Sequence, residues 1–158
     1  MYKFYFICLL FASLLSANSA MAFSDRGYPS KPGFGKVLKH RGNYFTVRNS
    51  HGGNVARFAM RTAQLKKKGT TVRFSGRCDS ACTLYLGMPQ SQMCITPGAS
   101  FRFHAPVTRS GKSSRAAHRF MNASYPGWVR SWISSKGGMT RKLITMDYGY
   151  ARNFIRQC

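Results

Sequence analysis

The stretch "YFTVRNS" (44–50) alternates β-forming and polar side chains and ends in turn residues, which predicts a strand. "HGGNV" follows, and Asn54 is the expected N-cap of the next element. From Val55 the apolar positions are 55, 58, 59, 62 (the methyl of Thr62) and 65, the spacing of a helix with one buried face. Lys66, Lys67 and Lys68 complement the negative end of that helix, and Gly69 is placed to take a left-handed cap. "TTVRFSG" (70–76) predicts a second strand, and "DSACTLYLG" a short helix closed by Gly87. "QMCIT" (92–96) and "ASFRFHAP" (99–106) predict two more strands joined by a tight turn at Pro97 and Gly98. A helix is expected from about Ser113. Pro126 ends it and starts another through Trp128, Trp132 and Ile133, which Gly137 and Gly138 stop. The last stretch, "MTRKLITMDYGYARNFIRQC", predicts one or two short helices whose aromatics belong to the core. Strands alternating with helices give an α/β fold with a mostly parallel sheet covered by helices, in one domain without internal repeats.

The N-terminus reads differently. Lys3, the apolar run Phe4–Leu15 and the small-x-small pattern of Ala20 and Ala22 are those of a secretory signal peptide over 1–22. Its apolar core of about 12 residues is well short of the ~20 that span a bilayer as a helix. The expected mature protein is exported, to the periplasm or beyond the cell, with an irregular lead-in over 23–43 and the folded domain over 44–158. Removal of Cys8 leaves Cys78, Cys82, Cys94 and Cys158, an even count that in an oxidising compartment favours two disulfides. Four cysteines allow three pairings. The spacing is poor for zinc, and no metal or other cofactor is expected.

Composition adds two constraints. With 44% hydrophobic and 14% aromatic residues, the chain is too apolar for a disordered basic tail. Against 25 Lys and Arg stand only Asp25, Asp79 and Asp147, for a net charge of +22, which attracts polyanions of any kind. The cations are spread along the chain apart from Lys66–Lys68, and no zinc-finger, helix-turn-helix or RNP-like pattern accompanies them, so no dedicated nucleic-acid module is expected.

Ligand sites in such folds lie beyond the carboxyl ends of strands, and "HGG", "CDSAC" and "HAP" all fall there. A serine hydroxyl becomes a nucleophile when a base takes its proton and N–H donors await the oxyanion. Ser80 stands at a predicted strand-to-helix turn, Ala81 offers a free first-turn N–H, and Gly52 and Gly53 allow close backbone approach. His104, closing an alternating strand, is the natural base. The plainer reading of Ser80 is a small residue opening a helix in a disulfide-tied loop, with Asp79 as its cap. His51 and His118 read as surface residues.

In order, "NSHGGNV" before a helix, "SGRCDSAC" and "CITPGASFRFHAP" resemble the proteolytic subunit of the Clp protease and its exported relatives in the Clp/crotonase superfamily. The resemblance covers residues 44–108, with Ser80 and His104 24 positions apart. It implies a right-handed spiral of strand-strand-helix units and a serine peptidase with Ser80 as nucleophile and His104 as base. Ala81 and one of Gly52 and Gly53 would form the oxyanion hole, and the glycines would edge a groove for an extended peptide. The family's third residue, an Asp before a Leu-Ser or Leu-Thr pair, falls here near Arg141, a cation. Asp147, the only carboxylate after His104, is assigned the orienting role. The helix through which Clp subunits stack into rings has no counterpart, so a ring fed by an ATPase is not implied. The alternatives are a non-catalytic protein of the same fold that holds peptides or polyanions, and a cationic envelope protein in which the motifs are relics.

Overall fold

The computed structural model describes residues 43–158. The expected signal peptide and, apart from Asn43, the expected lead-in lie outside the described residues. Strand β1 is Tyr44–Val47, helix α1 Val55–Lys67 and strand β2 Thr71–Phe74. The Arg57 N–H donates to the Asn54 side chain at 3.0 Å, the expected N-cap, and Gly69 takes the left-handed conformation at φ +62°. Phe58 and Leu65 form the buried stripe of α1.

The second β-run does not end at Gly76. The chain bends there and resumes as β3, Arg77–Asp79, in a different sheet. Gly76 has φ +153°, and a Cβ on it would meet Asn49 Oδ1 at 3.0 Å, so glycine is required at the bend. The short helix predicted after it is a 3-10 helix, Ser80–Gly87, followed by β4 (Met93–Ile95) and β5 (Ser100–Phe103). Helix α2 is Arg115–Ser124, capped by Ser114, and α3 is Gly127–Ser135, with Pro126 at its N-cap. The final stretch departs from expectation: Ile144–Met146 is strand β6, and only Tyr148–Ala151 is helical, as α4.

The architecture is mixed α/β, with two three-stranded sheets where one mostly parallel sheet was predicted. The first has order β1-β2-β4, all parallel; the second has order β3-β5-β6, with β3 and β5 parallel and β6 antiparallel to β5. Consecutive strands β2 and β3 are split between the sheets, and so are β4 and β5. The second sheet carries Cys78, Phe101 and Phe103 inward and Arg77, Ser100 and Arg102 outward, a period of two.

Between the elements lies a core rich in rings. Phe74 meets Phe101 edge-on at 4.9 Å, Phe103 contacts Tyr125 and Trp132 at 5.6 Å each, and Tyr85 contacts Phe45 and Phe58 at 5.4 Å each. Burial pushes the Tyr85 hydroxyl pKa up to about 12, the nearby Arg61 charge opposing it. Of the three cysteine pairings, the chain makes Cys78–Cys82 and Cys94–Cys158. The second ties the C-terminus to the first sheet, where the Cys158 N–H donates to the Ile95 carbonyl at 3.1 Å. Among the described residues no helix is long and apolar enough to cross a membrane.

Candidate functional site

Ser80 is the first residue after β3, and His104 the first after β5. These strands are parallel neighbours in register, Asp79 opposite Arg102, so the two residues leave one sheet edge from strands about 4.8 Å apart. Ser80 is half-buried and holds φ +54°, one of two non-glycine residues in the left-handed region among those described. Such a conformation strains an L-residue and turns the chain sharply from strand to helix. The Thr83 hydroxyl donates to the Ser80 carbonyl at 2.6 Å. With its proton used there, Thr83 Oγ1 accepts from the buried Tyr125 hydroxyl, also at 2.6 Å. Tyr125 thus anchors the turn from the end of α2, 45 positions away from Ser80. Burial raises its pKa, partly offset by the bond to Thr83.

The diglycine bend closes over this turn. An ideal Cβ on Gly52 (φ +79°) would overlap the Asp79 carbonyl and lie 2.8 Å from Ser80 Cβ and 2.9 Å from Ala81 N. No side chain fits between them. Gly53 (φ +139°) is exposed and has no such crowding. Ala81 is fully buried, so the N–H expected to face an oxyanion lies beneath the Gly52 bend.

His104 is half-buried, with Nδ1 2.9 Å from the Ala105 carbonyl. A carbonyl oxygen only accepts, so Nδ1 carries the proton and Nε2 is left to act as a base. The orienting partner is therefore the histidine's own chain neighbour. Asp147 does not reach it. The β5–β6 register sets Phe101 against Met146 and Phe103 against Ile144, so Asp147 falls opposite Ser100. That is about 13 Å from His104 along the strand at ~3.3 Å per residue. Its side chain instead caps α4, accepting from the Tyr150 N–H at 2.9 Å. What lies beside His104 is the segment before β6: the Ala105 N–H donates to the Thr140 carbonyl at 2.6 Å. The neighbouring residue is Arg141, where the motif pattern placed the missing Asp.

Asp79, expected to cap the 3-10 helix, makes no side-chain cap bond. Its buried carboxylate receives the Arg102 fork, Nε to Oδ1 at 2.6 Å and Nη2 to Oδ2. These bonds, more than the charge of Asp79, raise the Arg102 pKa against the cost of desolvation. Arg77 Nε lies 3.1 Å from Oδ2, off the line of a hydrogen bond, and His51 Nδ1 lies 3.7 Å away. Arg77 Nη2 also contacts His51 Nδ1 at 3.2 Å. The second histidine of the set, His118, lies on α2. Neither the Thr83–Tyr125 anchor nor the Asp79–Arg102 fork was legible in the sequence, since no local motif marks either pair and only packing and strand register bring them together.

No protein-family model matches the chain, and no curated protein matches it. Among solved structures the chain is similar to a mutant of ClpP1 from Listeria monocytogenes, 18% identical over 70% of this chain and 69% of that one, with a TM-score of 0.45.

Proposed function

We propose that this chain is an exported serine hydrolase acting on peptides, with Ser80 as nucleophile and His104 as general base. The observation that carries this reading is the strained left-handed serine, packed under a side-chain-free bend at the edge that also holds a histidine with its Nδ1 proton tied down. In this reading Ser80 Oγ attacks a carbonyl carbon and Nε2 of His104 takes its proton. The imidazolium then returns that proton to the leaving amine, and water releases the acyl group by the same steps. Gly53 supplies the exposed oxyanion donor, and Ala81 the second once the Gly52 bend draws back. The Ala105 carbonyl stands in for the carboxylate as the group that orients His104. The fold is the right-handed spiral of strand-strand-helix units of Clp/crotonase proteins, occupying 44–158 behind a cleaved leader. Two disulfides support the oxidising destination.

The test is labelling of the mature protein by a fluorophosphonate probe. Labelling is expected in the wild type, lost in Ser80→Ala and lowered at least a hundredfold in His104→Gln. The complete burial of Ala81 favours a second reading, a non-catalytic peptide-binding protein with the same architecture. A folded wild type that never labels selects that reading.

A further inference from the structure

The outer face of the second sheet carries charge in an arrangement the catalytic reading leaves unused. Arg77 and the buried Asp79 share one face of β3 on either side of inward Cys78, and Arg102 stands opposite Asp79 on β5, two residues before His104. The side chains of Arg77 and Arg102 are 38% and 27% exposed, His51 is 72% exposed, and the carboxylate between them is 7% exposed. One carboxylate meets two guanidinium groups, and both of its oxygens are engaged. Among the described residues, Arg102 Nη1 and Arg77 Nη1 have no protein partner, and the only other acidic side chain is Asp147, which caps α4. Asp79 thus holds Arg102 by a two-bond fork and Arg77 by an ion pair beside Ser80, and its single charge leaves the pair with a net positive charge. A rigid guanidinium with spare N–H groups is suited to bind a carboxylate, and its conformational cost has already been met.

We infer that Arg77 and Arg102 form a carboxylate-binding subsite next to Ser80, which selects peptides with an acidic side chain or a free C-terminus at that point. The inference deepens the hydrolase reading by naming its substrate class, yet its test needs no turnover. Short fluorescent peptides carrying Glu or Gln, each with a free or an amidated C-terminus, are titrated onto the folded Ser80→Ala protein by fluorescence polarisation. The same titrations are run with Arg77→Gln, Arg77→Lys and, as a control of equal charge change away from the site, Lys67→Gln, each combined with Ser80→Ala. Arg77→Gln is expected to weaken the carboxylate-bearing peptide about tenfold and leave its neutral counterpart unchanged. Arg77→Lys keeps the charge but loses the fork, and a two- to threefold loss is expected. The peptide pair that shows the effect identifies the carboxylate as a side chain's or a C-terminus's. An equal loss on Lys67→Gln, no preference for either carboxylate, or competition by heparin that ignores Arg77 would overturn the subsite in favour of overall charge. Wild-type labelling without a carboxylate preference removes this inference and keeps the hydrolase. An Arg77-dependent preference without labelling keeps the subsite and removes the hydrolase.

Discussion

Ser80 pays for its backbone angle, since a left-handed L-residue costs ~1–2 kcal/mol, and three contacts hold it there: the Gly52 bend, the Thr83 hydroxyl and the disulfide between Cys78 and Cys82. A serine kept in this conformation only for packing is better replaced by glycine. Ser80→Gly is therefore expected to be about 1 kcal/mol more stable than Ser80→Ala, with strain relief exceeding the extra freedom glycine gives the unfolded chain, while neither variant takes the probe. Chemical denaturation of the two proteins checks this, and equal stability would show that the angle is not strained. The two described acids separate in the same way. Asp147→Ala should cost about 1 kcal/mol through loss of the α4 cap and leave labelling intact. Asp79→Asn, which strips two guanidinium groups of their counter-charge, should cost about 3 kcal/mol. A collapse of labelling in Asp147→Ala would instead return Asp147 to the site.

At the scale of elements, α1 was legible because cap, apolar period and terminal cations agree over 13 residues. β3 and β6 were not, because each is three residues long without the apolar run and following Pro-Gly turn that mark β4, and only pairing with β5 makes them strands. The candidate site divides along the same line. Ser80, His104 and the diglycine are each marked by local turn chemistry, whereas the role of Asp79 depends on Arg102, which the register brings opposite, and Tyr125 is matched to Thr83 only by packing. The disulfides show how element and loop length combine. Cys78–Cys82 closes a separation of 4 residues and Cys94–Cys158 one of 64. The chain-entropy relation gives about 2 kcal/mol for the first and about 4 kcal/mol for the second. Replacing Cys94 and Cys158 by serine should therefore lower stability the more, while replacing Cys78 and Cys82, which bracket the strained turn, should lower labelling the more. Melting temperature and labelling rate, measured on both pairs, separate the two effects, and a single pair dominating both would contradict them.

For the whole molecule, charge acts apart from the site. Exposed cations stand at the end of α1 (Lys66, Lys67, Lys68), on α2 (Arg115, Arg119), before β6 (Arg141, Lys142) and near the C-terminus (Arg152, Arg156). Two helices and two segments outside the strands contribute, so the attraction for a polyanion is summed over the surface and does not depend on one contact. At ~0.15 M salt the screening length is about 8 Å, so distant members of this set act almost independently, and each neutral substitution should remove only its own small share. The protein is accordingly expected to bind immobilised heparin and to elute at high salt, with the elution point unmoved by Ser80→Ala and shifted only slightly by Lys67→Gln. Arg77→Gln should behave like Lys67→Gln on that column, although the two differ about tenfold on a small carboxylate peptide. A large loss of heparin binding from any one of these substitutions would mean that a discrete polyanion site, and not the summed field, does the holding.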